Sequence, residues 1–95
     1  MGGRRFQHPK WPKGSYFAPT LLVDVTNAME ISQVEVFGPV VVVMKFKTDQ
    51  EAIDITNNCP YGLGGSVFSR DVERAERIVS KLRTGNKKLK RKKIK

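Results

Sequence analysis

The most constraining stretch of this chain is Val40-Val41-Val42-Val43, which runs on through Met44 and Lys45 to Phe46. Valine is stiff at its first side-chain torsion and favours extended backbone. Successive side chains of a strand point to opposite faces, so an apolar run without polar alternation describes a strand buried on both sides. Such a strand needs neighbouring strands and covering helices. The rest of the sequence has to supply them, and that requirement points to an α/β architecture rather than to an isolated hairpin or a helical bundle.

The flanking segments read accordingly. Tyr16-Phe17 followed by Leu21-Leu22-Val23 and Val25 describes a short strand within residues 15–25, interrupted by Pro19 and therefore suited to an edge. Asn27 to Val34 carries Ala28, Ile31 and Val34 at spacings of three, enough for one or two helical turns. Thr48-Asp49-Gln50-Glu51 has the capping-box pattern, and Asn57-Asn58-Cys59-Pro60 stops the helix it starts. Leu63 to Phe68 is the next strand, with Gly64-Gly65 marking a place where another backbone passes close. Ser69 is placed to cap a second helix, whose apolar stripe is Val72, Ala75, Ile78, Val79 and Leu82, with Gly85 as its stop. Strand, helix, strand, helix implies a βαβ crossover with an incomplete sheet. Met1 to Gly14, rich in Gly, Pro and basic residues, is expected to be irregular.

Charge divides the chain further. The net charge of +9 is concentrated at the ends: residues 87–95 hold seven positive charges in nine positions, whereas residues 15–85 carry seven bases against nine acids. The body is therefore near neutral, and residues 86–95 are expected to form a basic, disordered tail, leaving 1–85 as the folded part. With 39% hydrophobic and 28% charged residues the composition is globular. The longest apolar run, Val40 to Met44, is far short of the roughly 20 residues a membrane-spanning helix needs. Cys59 is the only cysteine and His8 the only histidine, which excludes intramolecular disulfides and cysteine-rich metal centres and fits a reducing compartment. No metal ligand set is predicted.

Several motifs then occur in a telling order. Gly14-Ser15-Tyr16-Phe17-Ala18-Pro19-Thr20, Asp24-Val25-Thr26, Glu35-Val36-Phe37-Gly38-Pro39-Val40, Tyr61-Gly62-Leu63 through Val67-Phe68-Ser69-Arg70-Asp71, and Arg83-Thr84-Gly85-Asn86 together resemble successive motifs of the NAD(P)-dependent aldehyde dehydrogenase superfamily. The lead-in from Gly2 to Pro9 resembles a fungal and plant branch. The resemblance spans residues 2–86 and implies the late part of a catalytic domain. It implies that Glu35 accepts hydrogen bonds from the nicotinamide ribose hydroxyls of NAD or NADP, that Phe37 packs near the nicotinamide ring, and that Gly38-Pro39 sets the turn presenting both. A carboxylate suits the first task because its two oxygens accept from adjacent hydroxyls.

The same resemblance implies that the parent family is oligomeric and oxidises an aldehyde substrate to a carboxylic acid. It does so through a cysteine nucleophile and a glutamate base, both of which lie upstream of this segment. Cys59, next to Pro60, does not match the nucleophile's motif. The family continues past Asn86 with an apolar strand, and here a lysine run stands instead, as a frameshift, a mis-assigned exon or a truncated gene copy would produce. The expectation is an inactive partial βαβ fragment of an aldehyde dehydrogenase catalytic domain that binds no cofactor alone. The alternative is a small basic protein that contacts nucleic acid or another partner through its Lys/Arg tail.

Overall fold

The computed structural model describes residues 1–91, which divide after Lys45 into two compact units, Met1–Lys45 and the residues from Phe46 on.

In the first unit β1 (Arg5–His8) and β2 (Trp11–Phe17) form an antiparallel hairpin with Phe6 opposite Tyr16 and His8 opposite Trp11. The lead-in is thus more regular than its prolines led us to expect. Pro9 falls in the connecting turn, and Pro12 is tolerated because β2 pairs on one side only, where a missing N–H is harmless. Cross-strand aromatic contact holds the pair: the His8 and Trp11 ring centroids lie 4.5 Å apart. His8 is further tied by the Lys10 N–H, which donates to its Nδ1 at 3.1 Å.

β3 (Thr20–Leu22) and β4 (Val40–Val42) pair in parallel, Thr20 beside Val40 and Leu22 beside Val42. Thr20 is buried and its hydroxyl is doubly used, donating to the Ala18 carbonyl at 2.8 Å and accepting from the Gly3 N–H at 2.7 Å. Gly2, at φ +83°, lies so close to this residue that a Cβ would come within 2.8 Å of the Thr20 Cα. The expected doubly buried strand over 40–46 is corrected here. Only three valines are in strand geometry, Val40 and Val42 are half-buried, and Val41 is 60% exposed. With β3 as its one neighbour, β4 has nothing within this unit to cover its second face. The connection between the two strands contains a single 3-10 turn, Glu30–Ser32, shorter than the expected one or two helical turns.

In the second unit α1 (Asp49–Asn57) starts as its sequence requires. The Glu51 N–H donates to Thr48 Oγ1 at 3.1 Å, and Glu51 Oε2 accepts from the Lys47 N–H at 2.7 Å. β5 (Gly64–Ser69) and α2 (Val72–Lys81) follow. The cap of α2 is Asp71, whose side chain accepts from the Arg74 N–H at 3.0 Å, not Ser69. Ser69 Oγ accepts instead from the Asp71 N–H at 3.1 Å, one step before the helix. The stripe of α2 faces inward as expected: Ala75 is fully buried and Leu82 nearly so, together with Ile53 of α1. Full burial of a leucine or isoleucine side chain contributes about 1.5–3 kcal/mol. The helix ends at Lys81, four residues before the glycine expected to stop it. The Gly85 N–H donates to the Gly62 carbonyl at 2.8 Å and so helps start the next strand.

That strand is the main departure from expectation. Asn86–Arg91 is β6, paired in parallel with β5 over its whole length, with Leu89 beside Val67. The basic segment expected to be unstructured from residue 86 is therefore a strand as far as Arg91, while residues 92–95 lie outside the described residues. Backbone pairing does not read side chains. Lys87 and Lys88 are exposed, as lysines on an open sheet edge usually are, and Leu89, 37% exposed, lies beside Val67 in the register. The βαβ unit accordingly runs through α2, as β5–α2–β6. The valine strand and β5 belong to different sheets rather than flanking α1 in one.

Candidate cofactor-binding site

The two residues singled out for cofactor binding sit on the connection between β3 and β4. The chain leaves β3 through Asp24, whose φ of 56° is the left-handed conformation aspartate tolerates, and whose carboxylate lies 3.7 Å from Lys45 Nζ. It then turns back on itself at Asn27. Gln33 Nε2 donates to both the Asn27 carbonyl (2.8 Å) and Asn27 Oδ1 (3.1 Å), and Ser32 Oγ donates to the Asn27 carbonyl (3.0 Å) and to that of Met29 (2.7 Å).

Beyond Gln33 the chain is exposed through residues 34–39. Phe37 is 93% exposed, with Val34 and Val36 on the same stretch at 45% and 40%. Among the described residues the Glu35 carboxylate has no hydrogen-bond or ion-pair partner, so both oxygens are available to a ligand's hydroxyls. An uncovered aromatic beside an unpaired acid is what a sugar-and-ring ligand would meet. The stretch ends in two tight bonds, Gly38 N–H to the Val36 carbonyl (3.0 Å) and Val40 N–H to the Gly38 carbonyl (2.8 Å), which turn it into β4 as expected for Gly38-Pro39.

Other candidates are placed plainly. Cys59 is half-buried just past α1, its Sγ facing the carbonyls of Tyr61 (3.3 Å) and Thr56 (3.8 Å). His8 belongs to the hairpin's aromatic packing. Among the described residues no three of His, Cys, Asp and Glu cluster as a metal site would. No helix among them is long and apolar enough to cross a membrane. A groove of about 400 Å³ in the second unit lies among Phe46, Ala52, Val67, Ile78 and Leu82 and is crossed by the Asp49–Arg74 ion pair. Neither Glu35 nor Phe37 lines it, and its two charged residues, Asp49 and Arg74, are paired with each other. Glu35, an unpaired acid beside an exposed aromatic, is the better candidate.

The family model described as the aldehyde dehydrogenase family matches residues 1–94. The chain belongs to the aldehyde dehydrogenase family. It is 53% identical over 86 residues to an aldehyde dehydrogenase-like protein of Saccharomyces cerevisiae, covering 90% of this chain and 13% of that protein. It is 50% identical over 84 residues to the chloroplastic betaine aldehyde dehydrogenase of Atriplex hortensis, covering 88% of this chain and 16% of the plant enzyme. Among solved structures, the betaine aldehyde dehydrogenase of Staphylococcus aureus in complex with NAD+ matches with a TM-score of 0.88 and 43% identity, over 94% of this chain and 18% of the bacterial one. The chain thus spans less than a fifth of the length of each of these aldehyde dehydrogenase relatives. All three carry dehydrogenase names, and none points to nucleic acid.

The sequence reading names Glu35 and Phe37 from their motif and does not anticipate the hydrogen bonds that Ser32 and Gln33 make to Asn27. Their signal was present as polar residues that favour turns, five and six positions apart, yet nothing local says that Asn27 accepts from both of the others.

Proposed function

We propose that this chain is the nicotinamide-ribose-holding segment of an NAD(P)-dependent oxidoreductase that converts an aldehyde to a carboxylic acid. Glu35 accepts hydrogen bonds from the ribose hydroxyls, and Phe37 lies against the nicotinamide ring. The observation that carries this reading is the pairing of an exposed, unpartnered Glu35 with a 93% exposed Phe37 on one turn-bounded stretch. Membership of the aldehyde dehydrogenase family supports it, and so does a solved relative that holds NAD+. The aldehyde is held and oxidised by the remainder of a complete, oligomeric enzyme, and this chain alone performs no turnover. The bound dinucleotide supplies the hydride acceptor, and the part of this segment is to orient its ribose end.

The test replaces the matched segment of the Staphylococcus aureus enzyme with residues 1–86 of this chain. The chimera should oxidise betaine aldehyde with NAD+. Glu35→Ala should then lower kcat/KM for NAD+ by about 10- to 100-fold, since hydrogen bonds to a charged group contribute about 1.5–3 kcal/mol and 1.4 kcal/mol is tenfold. Unchanged NAD+ kinetics in that variant would overturn the assignment.

A further inference from the structure

A carboxylate on an exposed stretch can orient a ligand only if the stretch itself is held, and here no apolar core holds it. The 3-10 turn at Glu30–Ser32 buries none of its residues, and residues 34–39 are exposed throughout. What fixes the path is hydrogen bonding at the two ends. At the exit, the N–H of buried Thr20 donates to the Pro39 carbonyl at 2.8 Å, tying the stretch to β3.

At the entry, two residues before Glu35, the Gln33 amide spans both acceptors of Asn27. The Ser32 hydroxyl meets the same Asn27 carbonyl, which thereby accepts two side-chain donors. The Gln33 N–H donates to the Glu30 carbonyl at 2.9 Å, so backbone and side chain of one residue close the turn together. Between the two anchors run the tight backbone bonds at Gly38 and Val40.

We infer that Gln33, with Asn27 as its acceptor, is a positioning residue: its side-chain clasp fixes the direction in which the chain delivers Glu35 and Phe37. This rests on the cofactor role given to Glu35 above. The chemistry favours a clasp over a packing contact. A glutamine amide donating to two oxygens of one residue sets an angle as well as a distance, and three half-buried polar side chains meet there. Without it, residues 34–38 regain backbone freedom that a ligand would have to remove on binding.

The test uses the 95-residue chain and ¹⁵N relaxation. Gln33→Met keeps the length of the side chain and removes both donated bonds. Order parameters at Glu35 and Phe37 should fall from about 0.85 to below about 0.6, with those of Thr20–Leu22 and the melting midpoint unchanged. Equal order in the two proteins would overturn the inference, as would order already below about 0.6 in the unsubstituted chain. Should Gln33→Met lose its dispersed spectrum altogether, Ser32→Ala removes one donor and is read in the same way. A Glu35→Ala chimera with unchanged NAD+ kinetics would sink the cofactor role and leave the relaxation result standing.

Discussion

Arg83 and Asn57 hold each other through both backbone and side chain. The Arg83 N–H donates to Asn57 Oδ1 at 2.8 Å, and Arg83 Nη2 donates back to the Asn57 carbonyl at 2.8 Å and to that of Cys59 at 3.0 Å. Asn57 Nδ2 completes the ring by donating to the Lys81 carbonyl at 2.9 Å. The last residue of α1 is thereby joined to the chain leaving α2. The carbonyls a helix leaves unpaired at its C-terminus find donors there. Asn57→Ala removes two of these bonds and should lower the stability of the second unit by about 1–3 kcal/mol, at roughly 0.5–1.5 kcal/mol per bond. Urea unfolding followed by helical circular dichroism checks this, and an unchanged midpoint would show that water replaces the latch without loss.

Leu82, 5% exposed, closes the apolar stripe of α2. Leu82→Ala should cost about 2–5 kcal/mol, the range for truncating a buried leucine. In a unit with so few buried side chains that is enough to remove most of the helical signal at 25 °C. Retention of full helicity would show that the stripe is not what holds α2 to the sheet.

Asp49 and Arg74 form a fork, with Arg74 Nε donating to Asp49 Oδ2 at 2.9 Å and Nη2 to Oδ1 at 2.5 Å. Hydrogen bonding to the Arg74 guanidinium holds the Asp49 carboxyl below its ordinary value of 3.8, and the bond to the Asp49 carboxylate in turn raises Arg74. A carboxyl lowered in the folded state stabilises above its unfolded value and loses that contribution as pH falls through the folded one. The melting temperature should therefore decline more steeply below about pH 4 in the native chain than in Asp49→Asn. Parallel curves would show that the exposed pair contributes nothing measurable.

Gly62 has room for no side chain, because an added Cβ would stand 2.7 Å from the Arg83 carbonyl oxygen. Its own carbonyl accepts from Gly85, at the point where β6 begins beside β5. Gly62→Ala should weaken that start, and deuterium exchange of the β6 amides should quicken while α1 amides keep their rates. Identical exchange in β6 would mean that the backbone shifts freely at Gly62.

The purified 95-residue chain should form no NADH from betaine aldehyde and NAD+ at micromolar protein. Its one cysteine faces backbone carbonyls at the end of α1, and the segment supplies neither the nucleophile nor the base that the family resemblance implies. Aldehyde-dependent absorbance at 340 nm above a protein-free control would overturn this.

What could be read without coordinates was local or carried by motif order. Thr48 and Glu51 announced α1 because both partners of the cap lie within four residues. The stripe from Val72 to Leu82 announced the buried face of α2 because helical periodicity is an intrinsic property of the segment. Glu35 and Phe37 were reached through an ordered set of motifs rather than through any geometry of their own. The misreadings share one cause. Side-chain composition alone makes the valine run read as buried on both faces and the lysine run as unstructured. Burial of a strand depends on which other strands lie beside it.

The sequence by itself determined the family, the start of α1 and the apolar stripe of α2, because each is written in neighbours or in an ordered motif. Tertiary structure decided that Val41 is exposed, that Asn86–Arg91 is a strand, that Asp71 rather than Ser69 caps α2, and that Gln33 closes on Asn27 while Asn57 closes on Arg83. Two physical causes separate these outcomes from sequence. Parallel pairing is made by backbone groups that every residue carries, and a polar side chain with several possible acceptors is committed only when the fold brings one of them within about 3 Å.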